Sequence, residues 1–213
     1  LKDVPYASIS QDGKMQLLVT GGSLGATVFS EVVPQAIAKL PAGLRARIRI
    51  DQQCREADIV QVREQYSQMG VNVDLASFFV DLPARLAASH LVIARSGAST
   101  VSELAAAGRP AILVPLPSAM DNHQYYNGAA LEAVGGGWVM TQDGFTADSL
   151  AARLEAFLTA PATLSKAAEN AKLLGSPDAA EKLAALVLRI AGKDKGAGKV
   201  APAFSTTVSN DII

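Results

Sequence analysis

Short apolar runs alternate with amphipathic stretches along most of this chain, and the alternation predicts its elements. Met15–Thr20 (Met-Gln-Leu-Leu-Val-Thr) reads as a strand. It runs into Gly21-Gly-Ser-Leu-Gly-Ala26 and then a helix from Thr27 to Lys39, with Val28, Val32 and Ile37 at helical spacing and Leu40 just beyond. Pro34 inside it predicts a late start or a kink, because proline lacks an N–H and crowds the preceding turn. After the turn Pro41-Ala-Gly43, Ala46–Asp51 alternates Arg47 and Arg49 with Ile48 and Ile50, the period of a strand with one wetter face. A helix over Ile59–Met69, stopped by Gly70, and a strand over Val71–Leu75 follow. Phe78-Phe79-Val80 is a short apolar segment whose two phenylalanines read as core, and Asp81 and Pro83 suit the start of a helix reaching Ala88.

Leu91–Ala94 is a buried strand that breaks at Ser96-Gly97 and restarts as a helix carrying Val101, Leu104 and Ala105, with Ser99 expected to cap it through its hydroxyl. Ala111–Val114 is the next strand, ending at Pro115-Leu-Pro117. A loop leads to a helix from His123 to about Val134, closed by Gly135-Gly-Gly137, and Trp138–Met140 is a last short strand with Trp138 read as core. Helices follow from Thr146, over Pro161–Leu174, and from Ser176-Pro177-Asp178, where Ser176 is the expected cap. Residues 1–14 read as a linker, and residues 192–213 as aperiodic and disordered.

Strand–helix alternation predicts an α/β fold: one Rossmann-like domain over 15–191, its parallel sheet covered by helices on both faces, with a helical C-terminal end. In such sheets ligands bind outside the carboxyl ends of the strands. The Gly21–Ala26 corner, Phe78–Val80, the Ser96–Glu103 corner and Pro115–Gln124 all lie at that edge. Each corner aims backbone N–H groups at one spot, at the positive end of a helix dipole, where an anion is favoured. Two such corners suit a diphosphate. Ser23 and Thr100 add hydroxyl donors, Glu103 stands one turn further in, where a carboxylate accepts bonds from a sugar hydroxyl, and His123 with Gln124 can donate to phosphate or sugar.

Several classes of chemistry drop out. The 19 basic and 20 acidic residues are balanced, with no basic stripe interleaved with aromatics, so no nucleic-acid partner is expected. Gly21-Gly-Ser-Leu-Gly is neither G-x-G-x-x-G nor a P-loop with its lysine. Gly-x-Ser-x-Gly is absent, which leaves Ser96, Ser99 and Ser102 as turn and capping residues. His90 reads as structural. The two histidines are far apart and there is no Asp-x-Asp pair, so no metal is expected. Cys54, the single cysteine, reads as a buried, inert thiol and leans towards the cytoplasm. No apolar run approaches the ~18 residues of a membrane span, and no signal peptide is visible. A chain starting at Leu1 without a Met reads as a fragment or a processed product.

The motifs Gly21-Gly-Ser-Leu-Gly-Ala26, Arg95-Ser-Gly-Ala-Ser-Thr-Val-Ser-Glu103, Ala105-Ala-Ala-Gly108, Pro110-Ala-Ile-Leu-Val-Pro115, and His123-Gln124 with Asn127 together resemble the C-terminal half of the MurG family, over about Met15 to Ile190. These enzymes transfer N-acetylglucosamine from UDP-GlcNAc to lipid I, forming lipid II for peptidoglycan. The resemblance implies a GT-B architecture in which this half holds UDP-GlcNAc as a substrate, with no cofactor or metal. Gly22, Ser23 and Gly25 would meet the diphosphate, and backbone groups at Phe79 the uracil edge. Ala98, Ser99 and Thr100 would line diphosphate and sugar, Glu103 would bind the ribose, and His123 and Gln124 the sugar and phosphate; position 123 varies between relatives. The implied reaction is inverting. The catalytic base, the lipid I site and the membrane-facing patch would belong to an N-terminal domain, placing the protein peripherally on the cytoplasmic face of the bacterial inner membrane. This half alone would be inactive. Two alternatives remain open on the sequence: a stand-alone UDP-sugar-binding subunit working with an acceptor-binding membrane partner, and a related glycolipid transferase using another UDP-sugar.

Overall fold

Six strands, β1 (Met15–Thr20), β2 (Ile48–Gln53), β3 (Asn72–Ala76), β4 (Leu91–Ala94), β5 (Ala111–Leu113) and β6 (Gly137–Val139), form one sheet in the order β3-β2-β1-β4-β5-β6, all pairs parallel. The structure is a computed structural model that describes residues 4–22, 26–176 and 178–191. Ser23 and Gly25 of the first corner, Pro177 and the tail after Ala191 therefore lie outside the described residues.

Parallel strands need crossovers, and the helices supply them on both faces. Alternate residues of the strands face opposite ways: Leu17 and Val19 of β1 join a core with α1 (Thr27–Lys39), α3 (Glu56–Gln68) and α7 (Ala147–Thr159). Leu18 joins the opposite core with α4 (Leu82–Ala88), α5 (Ala98–Ala107) and α6 (His123–Ala133). One helical turn, α2 (Ala42–Arg45), precedes β2, which starts at Ile48, two residues later than the alternation predicts. α1 runs unbroken through Pro34, which is buried within it. The helix α8 (Ala162–Leu174) adds Leu164 to the first core and Ala171 to the second. As expected, Thr146 caps α7, in a reciprocal box with Ser149.

Four sequence expectations change. The N-terminal segment read as a linker is packed: Tyr6 and Ile9 rest on the core, and the Tyr6 hydroxyl donates to His90 O at 3.1 Å. Arg109 explains why. It is fully buried and donates to the carbonyls of Val4 and Pro5 as well as to Leu86, Ala87 and Gly108. Phe78 is not core; it is 66% exposed, whereas Phe79 is buried. Trp138, by contrast, packs against the core as expected, half-buried, with its ring centroid 4.4 Å from that of Phe157. Finally, the chain divides into two compact units, Leu1–Ser176 and Pro177–Ile213. The second contains α9 (Ala179–Ile190), which has Asp178 rather than Ser176 at its cap position. Its Leu183, Leu186, Val187 and Ile190 are exposed.

Candidate functional site

β1 ends at Thr20 and β4 at Ala94, and these two residues are register partners. The two glycine corners therefore leave the sheet side by side. Strand order reverses between β1 and β4, so the corners flank the switch point where open parallel sheets form their crevice. Gly22 has φ +80°, a conformation that a Cβ disfavours. Gly97 is extended and occupies the cap position of α5, with no side-chain cap bond. Ser99 is thus not the cap; it lies inside the first turn, exposed. The first intrahelical bond is made by Val101 N–H to Gly97 O at 3.0 Å. The N–H groups of Ala98, Ser99 and Thr100 precede it at the positive end of the helix.

A cleft of about 250 Å³ opens here. Gly22, Ser99 and Thr100 line its mouth, Glu103 its wall, and Leu18, Val92 and Leu104 its apolar floor. Glu103 is exposed, which leaves its carboxylate to solvent or a ligand. Phe78 and Phe79, from the loop after β3, close the far side. The sequence-predicted residues Gly22, Phe79, Ser99, Thr100 and Glu103 are thereby brought into one cleft, with Ala98 exposed at the adjoining helix start.

Sequence reasoning did not single out the residues that brace this cleft. Gln53, nearly buried at the end of β2, accepts from Thr20 Oγ1 at 2.9 Å and donates to Ser77 O at 3.1 Å, tying the first corner to the Phe78–Phe79 loop. Only its place at the end of a parallel strand signals that role. Arg85 of α4 lies over the Phe79 ring, 4.1 Å from its centroid. It pairs with Asp51, Asp74 and Asp81 at 3.2, 2.7 and 2.8 Å. Those carboxylates hold the guanidinium well above its ordinary pKa, the bond to Asp81 most of all. Burial pushes the Asp51 carboxyl up, against the pull of Arg85.

His123 and Gln124 stand apart from the cleft lining. His123 is exposed, its Nδ1 2.7 Å from Met120 O. Gln124 Oε1 accepts from Leu116 N–H at 3.0 Å, which fixes the loop after β5 and leaves the Nε2 amide as its donor. Asn127 Nδ2 donates to Ser96 O at 3.1 Å, fastening α6 to the second corner. The Ser96 hydroxyl is buried and makes no hydrogen bond among the described residues, while the residue itself lies in the turn between β4 and α5, as expected. Arg95 spans three strand ends, donating to Val114 O, Pro115 O and Gln142 Oε1. His90 is structural as expected, accepting from Gln16 N–H at 2.8 Å. Cys54 is buried, and burial raises its thiol pKa. Among the described residues no group of three or more His, Cys, Asp or Glu is placed to hold a metal ion.

The sequence matches the glycosyltransferase family 28 C-terminal domain over residues 16–183. The chain belongs to this family. Family 28 relatives include the UDP-N-acetylglucosamine–N-acetylmuramyl-(pentapeptide) pyrophosphoryl-undecaprenol N-acetylglucosamine transferases of Paramagnetospirillum magneticum and Rhodospirillum centenum. The first is 55% identical over 92% of this chain and 53% of the relative, the second 54% over 92% and 52%. The family 28 chain thus spans about half the length of the curated relatives it matches. Among solved structures, MurG of Acinetobacter baumannii superposes with a TM-score of 0.75 at 29% identity, over 84% of this chain and 53% of that one. The fold is that of one half of a GT-B glycosyltransferase, as the sequence predicts. A UDP-GlcNAc 2-epimerase from Neisseria meningitidis shares the fold alone, at 15% identity, TM-score 0.57, covering 84% of this chain and 45% of the other.

Proposed function

We propose that this chain is the donor-binding half of an inverting transferase that moves N-acetylglucosamine from UDP-GlcNAc to lipid I, forming lipid II. The observation that carries the reading is the pairing of Thr20 with Ala94, which sets two anion-favouring corners beside the Glu103 carboxylate in one cleft. The names of the half-identical relatives agree with it. The diphosphate lies between Gly22 and the start of α5, Ser23 and Gly25 are assigned to it on the sequence motif alone, and Glu103 accepts from the ribose hydroxyls. The Nε2 amide of Gln124 and the imidazole of His123 meet the sugar end.

In this reaction the acceptor's muramyl 4-hydroxyl oxygen bonds to the anomeric carbon as the bond from that carbon to the β-phosphate oxygen breaks. UDP leaves with the electron pair, and the hydroxyl proton passes to a base supplied by the other half of the longer protein. The helix N-terminus at Ala98–Thr100 and the glycine corner offset the charge that builds on the diphosphate, the service a divalent cation gives in other transferases. We assign lipid I and peripheral contact with the cytoplasmic face of the inner membrane to the other half as well. Among the described residues no helix is long and apolar enough to cross a membrane.

Calorimetric titration of the chain with UDP-GlcNAc, UDP-glucose and UDP, without added metal, tests this. Binding of UDP-GlcNAc in preference to UDP-glucose is the expected result. Binding of none of the three overturns the reading of the cleft as a donor site.

A further inference from the structure

The loop Ser77–Val80 is held from two sides, by Gln53, which also lines the cleft, and by Arg85, which does not. From β2, Gln53 bonds the carbonyl of Ser77. From α4, the Arg85 guanidinium stacks on the ring of Phe79, which is turned inward and buried, while Phe78 and Val80 point to solvent. What this loop presents to the cleft is Phe78, Phe79 and the backbone that joins them. With the diphosphate at the two corners and the ribose at Glu103, the remaining part of the cleft, bounded by Phe78, Phe79 and Leu82, falls to the nucleobase.

Arg85 does not stack on Phe79 by chance of surface packing. Asp51 and Asp74 are register partners on adjacent parallel strands, two like charges side by side on the sheet face that α4 covers. Such a pair repels unless a cation is set between them. Arg85 supplies the cation, and its third partner, Asp81 at the start of α4, fixes the direction of approach. Carboxylates hold a guanidinium by the N–H groups in its plane and leave its flat faces free, and Phe79 lies against one of them.

Building on the donor-site reading above, we propose that Arg85 is the positioning residue for nucleobase selection: it locks the Phe79 loop at the depth where the backbone meets a uracil edge. The charge cluster Asp51–Asp74–Asp81–Arg85 is thus part of the specificity of the cleft, although none of these four side chains lines it.

The test compares wild-type chain with Arg85→Met, Arg85→Lys and Phe79→Leu, titrated with UDP, CDP and inorganic pyrophosphate. In Arg85→Met, UDP affinity falls about tenfold and the UDP-over-CDP preference collapses, while pyrophosphate affinity stays within about twofold. Arg85→Lys, which keeps the charge and loses the planar fork, recovers part of the preference. Phe79→Leu keeps an apolar filler and removes the stacked ring, so it reproduces the collapse even if Arg85→Met fails to fold. An unchanged UDP-over-CDP preference in a folded Arg85→Met or in Phe79→Leu overturns the proposal, as does an equal loss for UDP and pyrophosphate, which marks general damage. Wild-type chain that binds pyrophosphate but neither nucleotide sinks the donor reading itself, and this is seen before any variant is made.

Discussion

Thr20 and Ala94 are register partners across the junction of β1 and β4, although 74 positions separate them along the chain. That one pairing turns two ordinary strand–helix corners into a single cleft. Of the two, the corner at α5 offers the N–H groups of Ala98, Ser99 and Thr100 at the helix start. Side by side at the switch point, the corners bracket a space in which a diphosphate can meet both.

Glu103 is exposed on the cleft wall, so its removal should leave the fold intact while cutting donor affinity. A carboxylate accepting hydroxyl bonds contributes about 1.5–3 kcal/mol, and Glu103→Ala is expected to weaken UDP-GlcNAc binding at least ~tenfold. Calorimetry gives the affinity, and an unchanged melting temperature shows that the loss is local.

Arg109 makes the opposite case, a residue remote from the cleft edge whose loss is structural. Its guanidinium is fully buried among the carbonyls at the C-terminal ends of α4 and α5 and those of Val4 and Pro5. Those helix ends carry partial negative charge, which offsets the burial that lowers its pKa. Arg109→Met leaves several carbonyls without partners and is expected to cost about 3 kcal/mol, or a fall of ~10 °C in Tm, and to expose the N-terminal segment to proteolysis.

His90 makes stability depend on pH. Burial, with Arg109 nearby, lowers its pKa below the ordinary 6.5, and its neutral Nδ1 accepts the Gln16 N–H. The unfolded chain therefore binds more protons than the folded one as pH falls through 6.5, so stability is full above that value and declines below it. Thermal melts between about pH 7 and 5 should show the decline, and His90→Gln, which cannot titrate, should flatten it.

Cys54 is buried and its thiol pKa is raised, so the thiolate that reacts is doubly withheld. A thiol reagent should modify the native chain only at the rate at which it opens, and the labelling rate should follow the denaturant-induced unfolding transition. Fast labelling of the native state would contradict the burial.

How much of this was legible beforehand depends on the range of the forces involved. β1, β4, α1 and α8 lie within a residue of their expected bounds, because their signals are local: an apolar run, a glycine break, a helical period. The corner residues Gly22, Thr100 and Glu103 were legible for the same reason, since a turn and the helix after it are contiguous in sequence. The cap was not. Ser99 has the right chemistry, but the chain enters the helix two residues earlier, and Gly97 takes the place. Equally hidden was which of two adjacent phenylalanines turns inward: the identical side chains of Phe78 and Phe79 are separated by an arginine about six positions on, which stacks on one of them.

By itself, then, the amino-acid order determined the kinds of element and where the two glycine-rich corners fall along the chain. Those features come from the chemistry of neighbouring residues. Only the tertiary structure decided that β1 and β4 are adjacent, that Gln53 and Arg85 brace the far wall of the cleft, and that Arg109 draws residues 4–6 onto the domain. Each of these joins groups from separate elements. Such contacts form only once the sheet order is set, because no short-range periodicity encodes which strand becomes whose neighbour.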